Sequence, residues 1–182
     1  MRRPIAIFFL IMFLGFSMLD KAQGQTPPQA KQILDAASKD AAASKKNVLV
    51  IFHATWCSWC KRLDAALTDP EAKKVMESNY VIVHLDVQER GDKVKTVENP
   101  GGNDIMKDLG GERSGLPFYV VLDPAGKKLA DSNVMPGNNN IGFPGTAEEI
   151  AAFEKILKET APHMSSDERA MVTKHLGVKQ PG

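Results

Sequence analysis

The stretch Asn47-Val48-Leu49-Val50-Ile51-Phe52-His53-Ala54-Thr55-Trp56-Cys57-Ser58-Trp59-Cys60-Lys61 decides the fold. From Asn47 to His53 it is almost wholly apolar and rich in Val and Ile. That composition predicts a strand covered on both faces, as in a parallel or mixed sheet. Ala54-Thr55-Trp56 leads into Cys57, where a helix begins and runs to about Thr68. Two cysteines, two residues apart, therefore stand where a buried strand passes into a helix.

Working outward, the apolar positions Ala30, Ile33, Leu34, Ala37 and Ala41 recur at helical spacing before this strand. After it, Asp69 suits the N-cap and Pro70 the first position of a further helix ending near Asn79. Tyr80 to Val87 reads as a second buried strand. Residues 88–103 read as a loop, with a short helix from Asp104 to Leu109 stopped by Gly110-Gly111. Phe118 to Leu122 is a third strand, Asp123-Pro124-Ala125-Gly126 a turn, and Lys128 to Ser132 its hairpin partner. Residues 134–145 form a Gly/Pro/Asn loop. Thr146 with Glu149, and Ser165 with Glu168, are capping boxes for two last helices. Strands joined through helices should be parallel and the hairpin antiparallel. The fold class is α/β: a mixed central sheet of about four strands, with room for a fifth, flanked by helices and followed by an extra C-terminal helix.

The 182 residues, 43% hydrophobic and 25% charged, suffice for one domain. A net charge of +1 gives no reason to expect nucleic acid or an anionic surface as partner. Residues 1–24 differ from the rest. Arg2 and Arg3 precede an apolar run from Ile5 to Leu19, and Ala22-Gln23-Gly24 supplies small residues at alternate positions. This is the order of a secretory signal; a membrane anchor is the competing reading, though the run is short for a span. With no cysteine nearby, a lipid-anchored terminus is not expected. Cleavage near Gly24 would remove Arg2, Arg3, Lys21 and Asp20 and change the net charge from +1 to −1. The expected division is signal peptide 1–24, lead and helix 25–46, principal domain 47–161 and helical extension 162–182. The expected location is periplasmic or secreted, as a monomer.

Export alters the meaning of the cysteines. Exported proteins commonly use them as staples, but a bridge between Cys57 and Cys60 closes too small a loop to stabilise much. Chemistry explains the pair better. At a helix N-terminus, free N–H groups and the helix dipole favour a thiolate at Cys57. Lys61, four residues on, adds positive potential. Cys60 shares an inward face with Leu63 and Leu67. The expected roles are Cys57 as nucleophile on a disulfide and Cys60 as the thiol that resolves the mixed disulfide. Structural zinc would need two further ligands, and covalent haem would need His where Lys61 stands. Capture of Cu(I) by the two thiolates stays open. No metal or organic cofactor is expected beyond the redox-active cysteine pair.

Pro117, in Ser114-Gly115-Leu116-Pro117-Phe118, precedes an apolar strand and marks its start, since proline donates nothing to a ladder. Trp-Cys-x-x-Cys-Lys after a buried strand, Gly-x-Pro before the penultimate strand and a terminal helix together resemble the thioredoxin family over about Asn47 to Ala161. More narrowly, the chain resembles exported bacterial thioredoxin-like thiol–disulfide oxidoreductases with a loop-rich insert before that proline. The resemblance implies Cys57 as nucleophile, Cys60 as resolving thiol and Pro117 as a cis proline beside them. It implies that the Leu116 backbone hydrogen-bonds an extended substrate segment, with Trp56 and Trp59 on the same binding surface. Implied partners are exported proteins bearing disulfides and a membrane electron-transfer protein that recycles the pair.

The chain also departs from the family. The buried aspartate that thioredoxin proper carries six positions before the nucleophile is Ile51 here. His53 is a candidate modulator in its place, with Asp64 and His84 as weaker ones. Ser58-Trp59 replaces Gly-Pro, so no redox potential carries over. The topology brings loops 88–103 and 134–145 to the cysteine edge, where Trp59, Phe118, Ile141 and Phe143 are expected to form an apolar rim.

Overall fold

The computed structural model describes residues 26–177; the expected signal peptide therefore lies outside the described residues. Helix α1 (Ala30–Ser44) precedes strand β1 (Asn47–His53), helices α2 (Ser58–Leu67) and α3 (Pro70–Asn79), and strand β2 (Tyr80–Asp86). Two short helices, α4 (Lys93–Thr96) and α5 (Gly102–Met106), lead to strands β3 (Phe118–Leu122) and β4 (Lys128–Asp131). Helices α6 (Ala147–Thr160) and α7 (Ser166–Thr173) complete the order. The sheet runs β2-β1-β3-β4, with β1 and β2 parallel and the other neighbours antiparallel. Among the described residues it has four strands.

Side-chain alternation along the strands divides the core in two. Leu49 and Ile51 of β1, with Tyr119 and Val121 of β3, face α2, α3, α6 and α7. Val48, Val50, Phe52, Phe118, Val120 and Leu122 face α1 and the segment around Met106. Ala30, Ala37 and Ala41 give α1 a flat face that lies close on the sheet. Each large side chain fully buried in these layers contributes about 1.5–3 kcal/mol. Tyr80 and Thr160 join β2 to α6 through a buried hydroxyl pair 2.6 Å apart.

The caps follow the sequence signals. The Asp69 carboxylate accepts the Glu71 N–H at 3.1 Å with Pro70 at the first helical position. Both capping boxes form, Thr146 with Glu149 and Ser165 with Glu168. Two details differ from expectation. The segment 88–103 contains the single turn α4, and α5 begins at Gly102 and runs into a kinked turn, Lys107–Gly111, broken where Gly110 takes a φ of 98°. A Cβ at Gly111 would stand 2.6 Å from the Phe118 ring, so glycine is needed for that turn to reach the sheet. Phe118 is also misplaced by the sequence reading: it is fully buried and stacks on Phe52 at 5.7 Å on the α1 side. It takes no part in the rim.

Candidate functional site

The turn at the end of β1 sets the two sulfurs. The Cys57 N–H donates to the Ala54 carbonyl at 3.0 Å, and Cys57 is the N-cap of α2. Its Sγ accepts the Cys60 N–H at 3.1 Å. Cys57 and Cys60 are joined by a disulfide with Cα atoms 5.3 Å apart. Both are buried, Cys60 more deeply, against Ala54 and Leu116. A thiolate at Cys57 would thus meet an N–H donor and the positive end of α2, which stabilise negative charge. The Lys61 side chain, one turn on, is exposed.

Two loops brace the turn. From one side, Glu89, itself buried, accepts both the Thr55 N–H at 2.5 Å and the Thr55 hydroxyl at 2.8 Å. The Glu89 N–H in turn donates to Glu98 at 2.7 Å. The Trp56 indole N–H donates to the Gln88 carbonyl at 2.8 Å, which turns this tryptophan toward the 88–103 segment.

From the other side, the Asn140 amide donates to the carbonyls of Gly115 at 2.7 Å and Pro117 at 2.9 Å. Asn133 binds the Ser114 hydroxyl and the Gly110 carbonyl at 2.8 and 3.0 Å. The asparagine-rich loop is thereby pinned to the segment that enters β3. The Leu116–Pro117 peptide bond is cis, and Pro117 is buried. A cleft of about 660 Å³ opens between the two, lined by Trp59, Arg113, Leu116, Ile141, Phe143 and Glu149 among others. Trp59 stacks on Phe143 at 5.9 Å. Trp59, Ile141 and Phe143 therefore form the apolar rim beside Leu116, without Phe118.

Residues 29–124, more than half of the chain, match the thioredoxin-like family. The chain belongs to that family. A protein disulfide-isomerase of Hordeum vulgare is 31% identical over 118 residues, covering 65% of this chain and 18% of that protein. The chain thus spans under a fifth of the length of that curated relative. The solved disulphide isomerase of Xylella fastidiosa Temecula1 is 22% identical with a TM-score of 0.47, covering 56% of this chain and 72% of that one. DsbH oxidoreductase is 20% identical with a TM-score of 0.45, covering 72% and 83%.

In this thioredoxin-like chain the buried position six residues before Cys57 is apolar, Ile51. The titratable groups gather two residues on. Nδ1 of His53 lies 3.7 Å from Asp64 and Nε2 lies 3.3 Å from Asp86. His84 meets Asp64 at 3.0 Å, and the two imidazole rings lie 5.0 Å apart. Burial disfavours the His53 cation, yet Asp64 beside Nδ1, with Asp86 and Glu89, outweighs it and raises His53 above its ordinary value. Burial alone would raise Asp64, but its two histidine partners hold it well below the usual carboxylate range. Asp86 goes the other way, pushed up by burial and by the charges of Glu89 and Asp64.

Asp64 is four residues after Cys60 on α2, so their Cβ atoms are about 5–6 Å apart on one helix face. The cluster therefore begins one helical turn from the buried sulfur. Sequence reasoning found His53, His84 and Asp64 but missed Asp86, Glu89 and Asn140. Asp86 had a signal: it pairs with His53 in the parallel register of β1 and β2. Glu89 and Asn140 lay in loops without periodicity, and nothing in the sequence alone marked them.

Proposed function

We propose that this chain is an exported thiol–disulfide oxidoreductase that reduces disulfides in exported proteins. The observation that carries the reading is the placement of Cys57 Sγ at the N-cap of α2, bonded to Cys60 by a disulfide, beside a cleft reached through Leu116. In the reduced chain, the Cys57 thiolate attacks one sulfur of a client disulfide. That bond breaks, the leaving client sulfur takes a proton, and a Cys57–client disulfide forms. Cys60 then loses its proton and attacks Cys57 Sγ, releasing the second client thiolate and closing the Cys57–Cys60 disulfide. The client gains two electrons and the chain loses two. A reduced dithiol partner, proposed to be a membrane electron-transfer protein, must return them.

Asn140 supports the reading by occupying the carbonyls on either side of Leu116. It leaves the Leu116 backbone as the group available to an extended client segment. The apolar run at residues 5–19 supports export. The decisive experiment is turnover of a protein disulfide with excess dithiol reductant, together with the reduction potential of the pair in glutathione buffers. Repeated turnover is expected, with a potential reducing enough for net reduction of the substrate; a potential near about −120 mV would make the chain an oxidant instead. Absence of turnover with tight capture of one Cu(I) by the reduced chain would replace the enzyme with a binding module.

A further inference from the structure

The described residues include four arginines: Arg62, Arg90, Arg113 and Arg169. Arg169 is paired with Glu154 at 3.5 Å, far along the chain on α7. Arg62 and Arg90 lie over the tryptophans that neighbour the cysteines and Arg113 lines the cleft, and among the described residues none of the three has a carboxylate within ion-pair distance. The Arg62 guanidinium sits 4.7 Å from the Trp59 ring centroid, and that of Arg90 sits 3.9 Å from the Trp56 ring centroid. Arg113 lines the cleft with Trp59 and Leu116. Both tryptophans are exposed, by 41% and 46%, on either side of Cys57.

The acids nearby are already engaged. Glu149, at the cleft, accepts the N–H groups of Gly145 and Thr146 at 2.8 and 2.9 Å. Glu89 is buried under Thr55. The site face therefore presents three guanidiniums with no ion-pair partner among the described residues, two of them seated on aromatic faces, with Glu149 the one carboxylate lining the cleft. Stacking on a ring restrains a guanidinium while leaving N–H edges free, and those edges match carboxylates in a two-bond geometry.

We propose that this face is a docking surface for client segments with Asp or Glu flanking the disulfide on both sides. The inference rests on the oxidoreductase reading and names its substrate class. The exposed edges of the tryptophan rings take the apolar part of the segment, and the three arginines take its carboxylates. Charge complementarity of this kind acts chiefly on encounter rate and partner choice.

The test uses the full chain, reduced, in single turnover against three disulfide-bridged peptides that differ only in Glu, Gln or Lys beside the cysteines. Uncharged hydroxyethyl disulfide serves as the reference for Cys57 reactivity itself. At low ionic strength the second-order rate should fall in the order Glu, Gln, Lys, with about a tenfold or larger gap between Glu and Lys. The gap should contract near 1 M salt, where screening acts within about 3 Å. In the combined variant Arg62→Gln, Arg90→Gln, Arg113→Gln, the Glu-to-Lys ratio should approach one, each rate being referred to hydroxyethyl disulfide. Equal rates for the three peptides on the unaltered chain would overturn the docking surface alone. Reduction of no disulfide, hydroxyethyl disulfide included, would overturn the oxidoreductase reading and this surface with it.

Discussion

The Trp59 indole stacks on the Phe143 ring, with centroids 5.9 Å apart and planes inclined by 23°. One ring lies between the two cysteines; the other belongs to the loop leading into α6. The residue next to the sulfurs is thus held by a segment more than eighty positions away.

Phe143→Ala should remove this contact together with a nearly buried aromatic side chain. The expected loss of stability is about 3 kcal/mol, the lower end for aromatic truncation. Urea unfolding would measure it, and Trp59 fluorescence should shift toward that of a fully exposed indole. A stability change below about 0.5 kcal/mol, typical of a surface substitution, would mean that the loop does not hold the rim.

The two sulfurs should behave differently. Cys60→Ser should accumulate mixed disulfides between Cys57 and clients, because attack proceeds and resolution does not. Cys57→Ser should accumulate none, since Cys60 is the more deeply buried. Non-reducing electrophoresis with mass identification reads both variants. Equal trapping by the two would reverse or dissolve the assigned roles.

Glu89→Ala should leave the Thr55 N–H without its acceptor beneath the turn. A buried donor left unsatisfied costs about 1–3 kcal/mol. Glu89→Gln keeps one acceptor oxygen and should cost less. Exchange rates with a model disulfide should fall in the same order, because Thr55 immediately precedes Trp56 and Cys57. Should Glu89→Ala match the parent in both stability and rate, Glu89 does not position the turn.

The His53–Asp64 contact makes stability depend on pH. His53 is raised from 6.5, so its contribution is fully present below that value and is lost as pH rises through the higher folded value. Asp64 is depressed from 3.8, so its contribution is present above that value and lost as pH falls through the folded one. Both act together between about pH 4 and 6.5. Asp64→Asn should therefore destabilise by on the order of 1 kcal/mol at pH 5.5, a size set by partial solvent screening, and by less at pH 8.5. Denaturant midpoints at the two pH values measure the difference. Identical losses at both would show that the histidine charge does not contribute.

The strands, the caps and the cysteine turn were legible because each depends on local signals: apolar runs, Asp69-Pro70, and two Ser/Thr-x-x-Glu boxes. Phe118 was not placed correctly, for a physical reason. All five residues of β3 are buried, so hydropathy does not tell which face each one presents. Only the register against β1 does so, and Phe118 opposite Phe52 falls on the α1 side. The supports of the site escaped for a similar reason. Glu89 and Asn140 act through a few hydrogen bonds across tens of residues, and such bonds leave no periodicity. His53 was visible as a candidate, but its partner Asp86 emerged only through strand pairing.

Asn140 has a consequence for solubility as well as for recognition. Unpaired backbone at a strand is a template on which other chains extend a sheet, and proteins blunt such edges to avoid aggregation. By taking the carbonyls of Gly115 and Pro117, the Asn140 amide shortens the available template to Leu116. One residue suffices to register a short passing segment beside the sulfurs. It is too little for an unfolded chain to propagate a ladder.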